Sequence, residues 1–351
     1  MSLLSRLFGR PTPITQRRLN RFQHNRRAVW SLRLFLGLTM ITLCGEFIAN
    51  ERPLFVRYDG ESYFPIVKMY SETQFGGFFE TEANYHDPFV QGLIAEKGWL
   101  IFPLIPFSYD TIDRAPDASA PAKPSPRHWL GTDDVGRDVC ARLIFGFRIS
   151  IVFGMILTLL SAIIGVTAGA VQGYFGGKVD LYFQRFIEIW VGLPVLFLLI
   201  IMGSIVRPNF WWLLGVMLLF KWMIFVPFVR AEFLRGRNFE YVKAAHAMGI
   251  PTFTVMARHI LPNAIVATLT YLPFIMNAAI GLLTSLDFLG FGLPPGSPSL
   301  GEMLAQGKNN LHAPWLGITA FCSVSFLLSL LVFVGEGVRD AFDPRKQEAG
   351  Q

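Results

Sequence analysis

The sequence predicts an all-α integral membrane protein with six transmembrane helices and an external subdomain after the first. Three observations lead there. Of its 351 residues, 52% are hydrophobic and only 16% charged, with a positive mean hydropathy, a balance that ordinary soluble domains do not show. Six apolar stretches, at 28–48, 149–171, 186–206, 211–229, 264–283 and 315–335, come close to the roughly 20 residues a helix needs to cross a hydrocarbon core of about 30 Å. Arginine is segregated: residues 1–33 hold eight (Arg6, Arg10, Arg17, Arg18, Arg21, Arg26, Arg27, Arg33) and no acid, which marks a cytoplasmic flank. Backbone groups in lipid must pair within their own segment, so the spans are expected as helices.

Taken in order, residues 1–27 read as a basic cytoplasmic tail. A nucleic-acid-binding arm is the rival reading, and it is the weaker one beside an apolar span. The 28–48 stretch reads as an uncleaved anchor, since its basic leader is long and "FIAN" offers no small-residue cleavage site. Residues 49–128 are then external. The 51–128 segment carries seven Lys/Arg against eleven Asp/Glu. Its middle is aromatic ("YDGESYFPIVKMY", 58–70), and its Pro/Ala/Ser-rich end (115–129) reads as an extended linker. The core, 129–335, holds the other five spans. "LLSAIIGVTAGA" (159–170) favours close helix packing, and Pro194, Pro227 and Pro273 are expected to kink their spans. The 230–262 loop falls inside, where Arg230, Arg235, Arg237, Lys243 and Arg258 outnumber Glu232 and Glu240. The 336–351 tail, with Arg339, Arg345 and Lys346, is also inside.

Within that inside loop lies "YVKAAHAMGIPTFTVMARHILPN" (241–263). Tyr241, Ala244, Ala245 and Met248 share one helical face at i, i+3, i+4 and i+7. The alanines keep that face thin enough for another protein to approach. Gly249 can take φ > 0 and end the helix, and Pro251 prevents its continuation. A second short helix, about 252–260, is expected to stop at Leu261-Pro262, with Asn263 capping the next span. A plain amphipathic loop helix accounts for the same spacing.

This stretch resembles the EAA loop of ABC-importer permeases: E-A-A, three residues, Gly, nine residues, I-x-L-P. Ala244-Ala245, Gly249 and Leu261-Pro262 match it, while Lys243 stands in place of the usual acid and His259 in place of the usual Ile. "LGTDDVGRDVCARLIFGFRIS" (130–150), "QGYFGGKVDLYFQRFIEIW" (172–190), "SLDFLGFGLPPGSPSLGEMLAQGKNNLHAPW" (285–315) and "GEGVRDAFDPR" (335–345) are similar to segments of the dipeptide and oligopeptide permeases. The long 51–128 segment and "GKNNLHAPWLGI" further resemble the branch that serves peptide and microcin C import.

The resemblance implies a type I ABC-importer permease fold and a bacterial inner-membrane location with both termini cytoplasmic. It implies a heterodimer with a second permease, separate ATPase subunits and a periplasmic peptide-binding protein. It also implies that the 239–249 helix docks in an ATPase groove, so that Tyr241, Lys243, Ala244, Ala245, Met248, Gly249, Leu261 and Pro262 carry the coupling. Lys243 puts any acidic contact there in doubt. ATP and Mg²⁺ would be used by the ATPase partners, with no cofactor bound to this chain directly. Asp133, Arg137, Asp138, Arg148 and Asp287 would shape the external mouth or a dock for the binding protein.

Other features weigh less. Glu188 reads as paired with Arg185 near a span end or as lining a pathway, and Lys221 as cavity-lining or as polar packing. His246 and His259 are 13 apart and lack metal spacing. Asp133, Asp134 and Asp138 fit a solvated, capping-rich turn better than a cation site. Cys44, Cys140 and Cys322 form no zinc or disulfide pattern. No phosphate loop and no nucleophile–base set is present, which argues against an enzyme. An ion-coupled secondary transporter would call for several charges deep in the spans, and few occur. A helix-turn-helix DNA sensor would call for base-reading side chains on its second helix, where "TFTVMARHI" offers only Arg258 and His259.

Overall fold

The computed structural model describes residues 13–113, 120–206 and 208–342. Arg6, Arg10, Arg345, Lys346 and part of the 115–129 linker lie outside them. Four helices among the described residues are long and apolar enough to cross a membrane: Val139–Phe175, Phe210–Gly236, Thr252–Phe288 and Pro314–Phe342. A fifth crossing requires that a bent pair, Gly177–Val191 with Val195–Gly203, count as one span. Its halves meet at 64°. Pro194 breaks the expected 186–206 helix rather than kinking it. The residue is extended, with φ −75° and ψ 94°, and its ring both removes an N–H and fixes φ.

The expected first span is helical over Arg26–Leu43 and again over Gly45–Ile48. The longer piece has 18 residues and includes Arg26, Arg27 and Arg33, charges that lipid accepts only near its surface. The expected count of six is therefore not reached by length and composition.

The chain divides into two compact units. One contains the described residues of 1–36, 152–282 and 326–351. Here Gly165, Gly169 and Gly173 recur every four residues and so share a helix face. A Cβ on Gly169 would stand 2.9 Å from the Val226 carbonyl oxygen, and one on Gly173 2.6 Å from that of Arg230. The absence of side chains thus lets the 222–230 backbone lie directly against this helix. Pro227 is tolerated because it opens the Val226–Gly236 helix after a 3-10 turn at Trp222–Phe225.

The other unit contains 37–151 and 283–325. It includes an antiparallel sheet in the order β2-β1-β3, formed by β1 (Phe55–Tyr58), β2 (Glu61–Tyr63) and β3 (Gly98–Ile101). Asp59 and Gly60, at φ 50° and 83°, make the two-residue turn between β1 and β2. Phe75 is fully buried, with Tyr58, Tyr63 and Tyr85 edge-on to its ring at 5.3–5.8 Å. Val90 and Ile94 of the Pro88–Lys97 helix close this small aromatic core. The described part of the expected linker is tied down: Thr132 N–H donates to the Ala122 carbonyl (3.0 Å), Ala122 N–H donates to Thr132 Oγ1 (2.8 Å), and His128 is buried.

Candidate functional site: the 230–262 segment and the 128–148 charge cluster

The Glu240–Ala247 helix begins where Phe239 is extended and its carbonyl accepts from the N–H groups of Val242 (3.0 Å) and Lys243 (3.1 Å). It ends in a Schellman motif. Gly249, at φ 74°, donates to the His246 carbonyl (2.9 Å), and Ile250 donates to the Ala245 carbonyl (3.1 Å). The inner face of the helix is sunk in a cluster containing Val242, Ala245, Val229, Phe233, Val255 and Ile260.

The face expected from the spacing is therefore divided. Tyr241, Ala244 and Met248 point outward, Met248 being 72% exposed, whereas Ala245 is 2% exposed. At 3.6 residues per turn Ala245 lies between Tyr241 and Val242, and packing against Val242's neighbours draws it inward. Lys243 forms an exposed pair with Glu240 at 2.9 Å, one turn back on the same helix, and such pairs contribute little in water.

Polar contacts tie this helix to the 172–180 turn. The Tyr174 hydroxyl and His246 Nε2 are 2.6 Å apart, and Arg237 donates to the Tyr174 carbonyl at 3.2 Å. Arg230 grips Asp180 with two bonds of 2.6 Å, the planar fork geometry that makes arginine–carboxylate pairs specific.

The expected stop at Leu261-Pro262 does not occur. The chain stays helical from Thr252 to Phe288, with one π-turn at Met256–Ile260 in which Leu261 N–H reaches back to the Met256 carbonyl. The wider turn accommodates a proline that has no N–H to give. Asn263 consequently lies within a helix rather than at a cap.

A second constellation lies in the 37–151 and 283–325 unit. Asp133 is fully buried. It accepts from the N–H groups of Val135 (3.0 Å) and Arg137 (2.9 Å) and from Arg137 Nε (2.7 Å). Arg142, also fully buried, donates to the Ser297 carbonyl at 3.0 Å and lies 3.4 Å from Glu302. Asp138 caps the Val139–Phe175 helix through Ala141 N–H (2.8 Å) and holds His128 Nδ1 at 2.8 Å. His128 Nε2 is 3.0 Å from Asp113, which also pairs with Arg127. Burial alone would lower the His128 pKa, but its bonds to Asp138 and Asp113 raise it.

Asp287 accepts from Leu293 N–H (2.7 Å) and from the Ser299 hydroxyl, and Ser299 in turn caps the Leu300–Asn309 helix. Arg148 pairs with Glu46 at 2.6 Å. The expectation of a solvated turn is thus corrected, because Asp133 and Asp138 are buried and only Asp134 is exposed. Buried charge is stable only when paired and hydrogen-bonded. These side chains accordingly hold the 130–142 and 287–306 segments together and leave little of themselves as contact surface.

Sequence reasoning missed Tyr174, Asp180, Arg142 and Glu302. No short-range spacing signalled them, because Arg142 pairs with Asp133 and Glu302 and Asp180 with Arg230, all outside one helical turn. Glu188 does pair with Arg185, at 2.6 Å. Among the described residues no group of side chains has metal-site geometry, and Cys44, Cys140 and Cys322 are free thiols.

Comparison with known proteins agrees with this framework. Residues 161–348 match the family described as "Binding-protein-dependent transport system inner membrane component". The chain is 58% identical, over 96% of its length and 99% of the relative's, to the inner membrane ABC transporter permease protein YejE of Escherichia coli K12. It is 55% identical, over 95% of its length and 94% of the relative's, to a protein of Agrobacterium fabrum named peptidoglycan transport system permease protein YejE. The oligopeptide transport system permease protein OppC of Lactococcus lactis subsp. lactis is 34% identical over 62% of this chain and 76% of its own. The chain belongs to the binding-protein-dependent transport system inner membrane components, and is an inner-membrane permease of the ABC-importer class.

Proposed function

We propose that this permease moves peptides, with peptide antibiotics such as microcin C in the same substrate class, through an ATP-driven cycle of alternating access. Counting the first helix and the bent pair as one crossing each beside the four long spans gives six crossings, and in this reading both termini and the 230–262 loop are cytoplasmic and 49–128 is periplasmic. A second permease completes the pathway, separate ATPase subunits use ATP and Mg²⁺, and a periplasmic binding protein delivers cargo near Arg148 and the segments organised by Asp133, Arg137, Asp138 and Asp287. The names of the Agrobacterium and Lactococcus relatives support a peptide or peptidoglycan-derived cargo.

The observation that carries the reading is the two-sided Glu240–Ala247 helix. Val242 and Ala245 anchor it in the core while Tyr241, Ala244 and Met248 face outward. An ATPase groove that seats the outer face moves the anchored inner face with it. Through Tyr174 and the Arg230–Asp180 pair, the flanking helices follow. Closure of the ATPases then favours one permease conformation over the other, as coupling requires. Lys243, neutralised locally by Glu240, leaves shape as the main basis of docking.

Ala244→Arg tests this directly, because Ala244 is exposed and its replacement disturbs no core contact. In the assembled, reconstituted complex, cargo-stimulated ATP hydrolysis and uptake fall together while the chain's thermal stability is unchanged. Wild-type stimulation and uptake in that variant would refute docking through this face.

A further inference from the structure

Within 51–127 a cavity of about 900 Å³ opens between the aromatic core and the irregular 107–113 segment. Five carboxylates line it together with two arginines. Both arginines are committed, Arg52 to Glu82 at 2.7 Å and Arg127 to Asp113 at 3.0 Å. Glu51 accepts from the Thr111 hydroxyl (2.8 Å) and Asp87 from Phe89 N–H (2.9 Å). Those donors are neutral and leave the negative charge in place. Asp110 is exposed and has no ion-pair partner among the described residues. The cavity therefore carries an uncompensated negative potential at neutral pH.

Its wall adds an independent sign of a missing ligand. Tyr85 lines the cavity and is 3% exposed, yet its hydroxyl has no hydrogen-bond partner. The neighbouring His86 gives one ring nitrogen to the Pro106 carbonyl, so its buried, unpartnered Nε2 is the acceptor of a neutral ring. Buried polar atoms without partners are rare and point to something that completes them. Phe107 stacks on His86 at 5.5 Å and already carries the Arg127 guanidinium over its face at 5.6 Å. Carboxylates and a hydrogen-bond acceptor together suit an ammonium or guanidinium group.

We propose that this cavity binds the cationic end of a peptide, either its amino terminus or a lysine or arginine side chain. The proposal rests on the reading of the chain as a peptide permease and adds a selectivity for positive charge on the segment assigned to the periplasm. The ligand is free peptide, not a protruding segment of a partner protein.

The test is calorimetric titration of the full chain, purified in detergent without partners, with the tetrapeptide Lys-Ala-Ala-Ala and with its N-acetyl-norleucine counterpart. The cationic peptide binds and the neutral one does not. Combining Glu51→Gln with Asp110→Asn, both at exposed positions, weakens binding about tenfold or more without lowering thermal stability. Equal binding of the two peptides, unchanged affinity in the double variant, or binding seen only when a peptide-binding protein is added would each overturn the proposal. A chain that binds the cationic peptide but supports no import in the complex contradicts the permease cargo and leaves the site standing. Import without binding does the reverse.

Discussion

Replacing Gly249 with valine isolates the contribution of one backbone torsion to coupling. Gly249 sits at φ 74°, and a Cβ built there meets nothing within 4 Å. The substitution therefore brings torsional strain without a clash, about 1–2 kcal/mol for a residue with a side chain in the left-handed region. The turn is held by two bonds, from Gly249 to the His246 carbonyl and from Ile250 to the Ala245 carbonyl, each contributing about 0.5–1.5 kcal/mol net. Strain and restraint are of similar size, so the variant spends much of its time with the turn open and the Glu240–Ala247 helix misdirected. With only 8 residues, that helix has no stability of its own to resist.

A shift of 1–2 kcal/mol changes a two-state ratio about 5- to 30-fold, and cargo-stimulated ATP hydrolysis in reconstituted vesicles should fall within that range. Gly249→Asn serves as the control, since asparagine tolerates the left-handed region and adds similar bulk. It retains most of the stimulation. Wild-type coupling in the valine variant, or equal loss in both, would show that the torsion of this turn does not govern coupling.

Two further outcomes follow from the packing and from the buried histidine. Gly169→Leu forces a side chain against the Val226 carbonyl and Val229, and thermal unfolding in detergent should show a loss of about 1–3 kcal/mol or more; Gly281→Ala, where a Cβ meets nothing within 4 Å, leaves stability unchanged or raises it by about 0.5–1 kcal/mol. His128 has a raised pKa in the folded chain, so its imidazolium stabilises the Asp113–Asp138 clasp fully below the ordinary value of about 6.5, and that contribution disappears as pH rises through the raised one. Hydrogen exchange over 120–142 should accordingly quicken with rising pH beyond the intrinsic rate, and His128→Gln should abolish that excess; an excess that persists in the variant would assign it to another group.

Much of the architecture was legible because lipid imposes a simple rule on composition. The 149–171, 211–229, 264–283 and 315–335 stretches announce themselves by apolar length, and each falls within a helix able to cross a membrane. The break at Pro194 was visible as a proline, but its severity depends on whether neighbours hold the two halves in line, which no local pattern records. The run through Pro262 was illegible for the same reason. A π-turn costs little when Leu261 and Ile260 have a core to pack on, and that core is assembled from residues as distant as Ala170. The helix at 240–247 was legible through its spacing and Gly249. The division of its faces was not, because periodicity locates an apolar arc and cannot say which neighbour claims the residue at its edge. Partly buried ion pairs such as Arg230 with Asp180 are written into the chain only as isolated charges, 50 residues apart.

The charge cluster around Asp133 and Arg142 has a consequence for how the protein is made. Its two halves are separated by about 160 positions, with Arg142 at one end and Gly296, Ser297, Glu302 and Gln306 at the other. At a synthesis rate of about 5–20 residues per second, the second half leaves the ribosome roughly 10–30 s after the first. Throughout that interval a carboxylate and a guanidinium destined for full burial have each other but not their later partners, so they must stay in water or in the care of the insertion machinery. The segment that begins the Val139–Phe175 helix is thus synthesised well before the partners it needs and is among the last to reach its final environment, and premature insertion of its charged start into lipid is the error that this order of events leaves open.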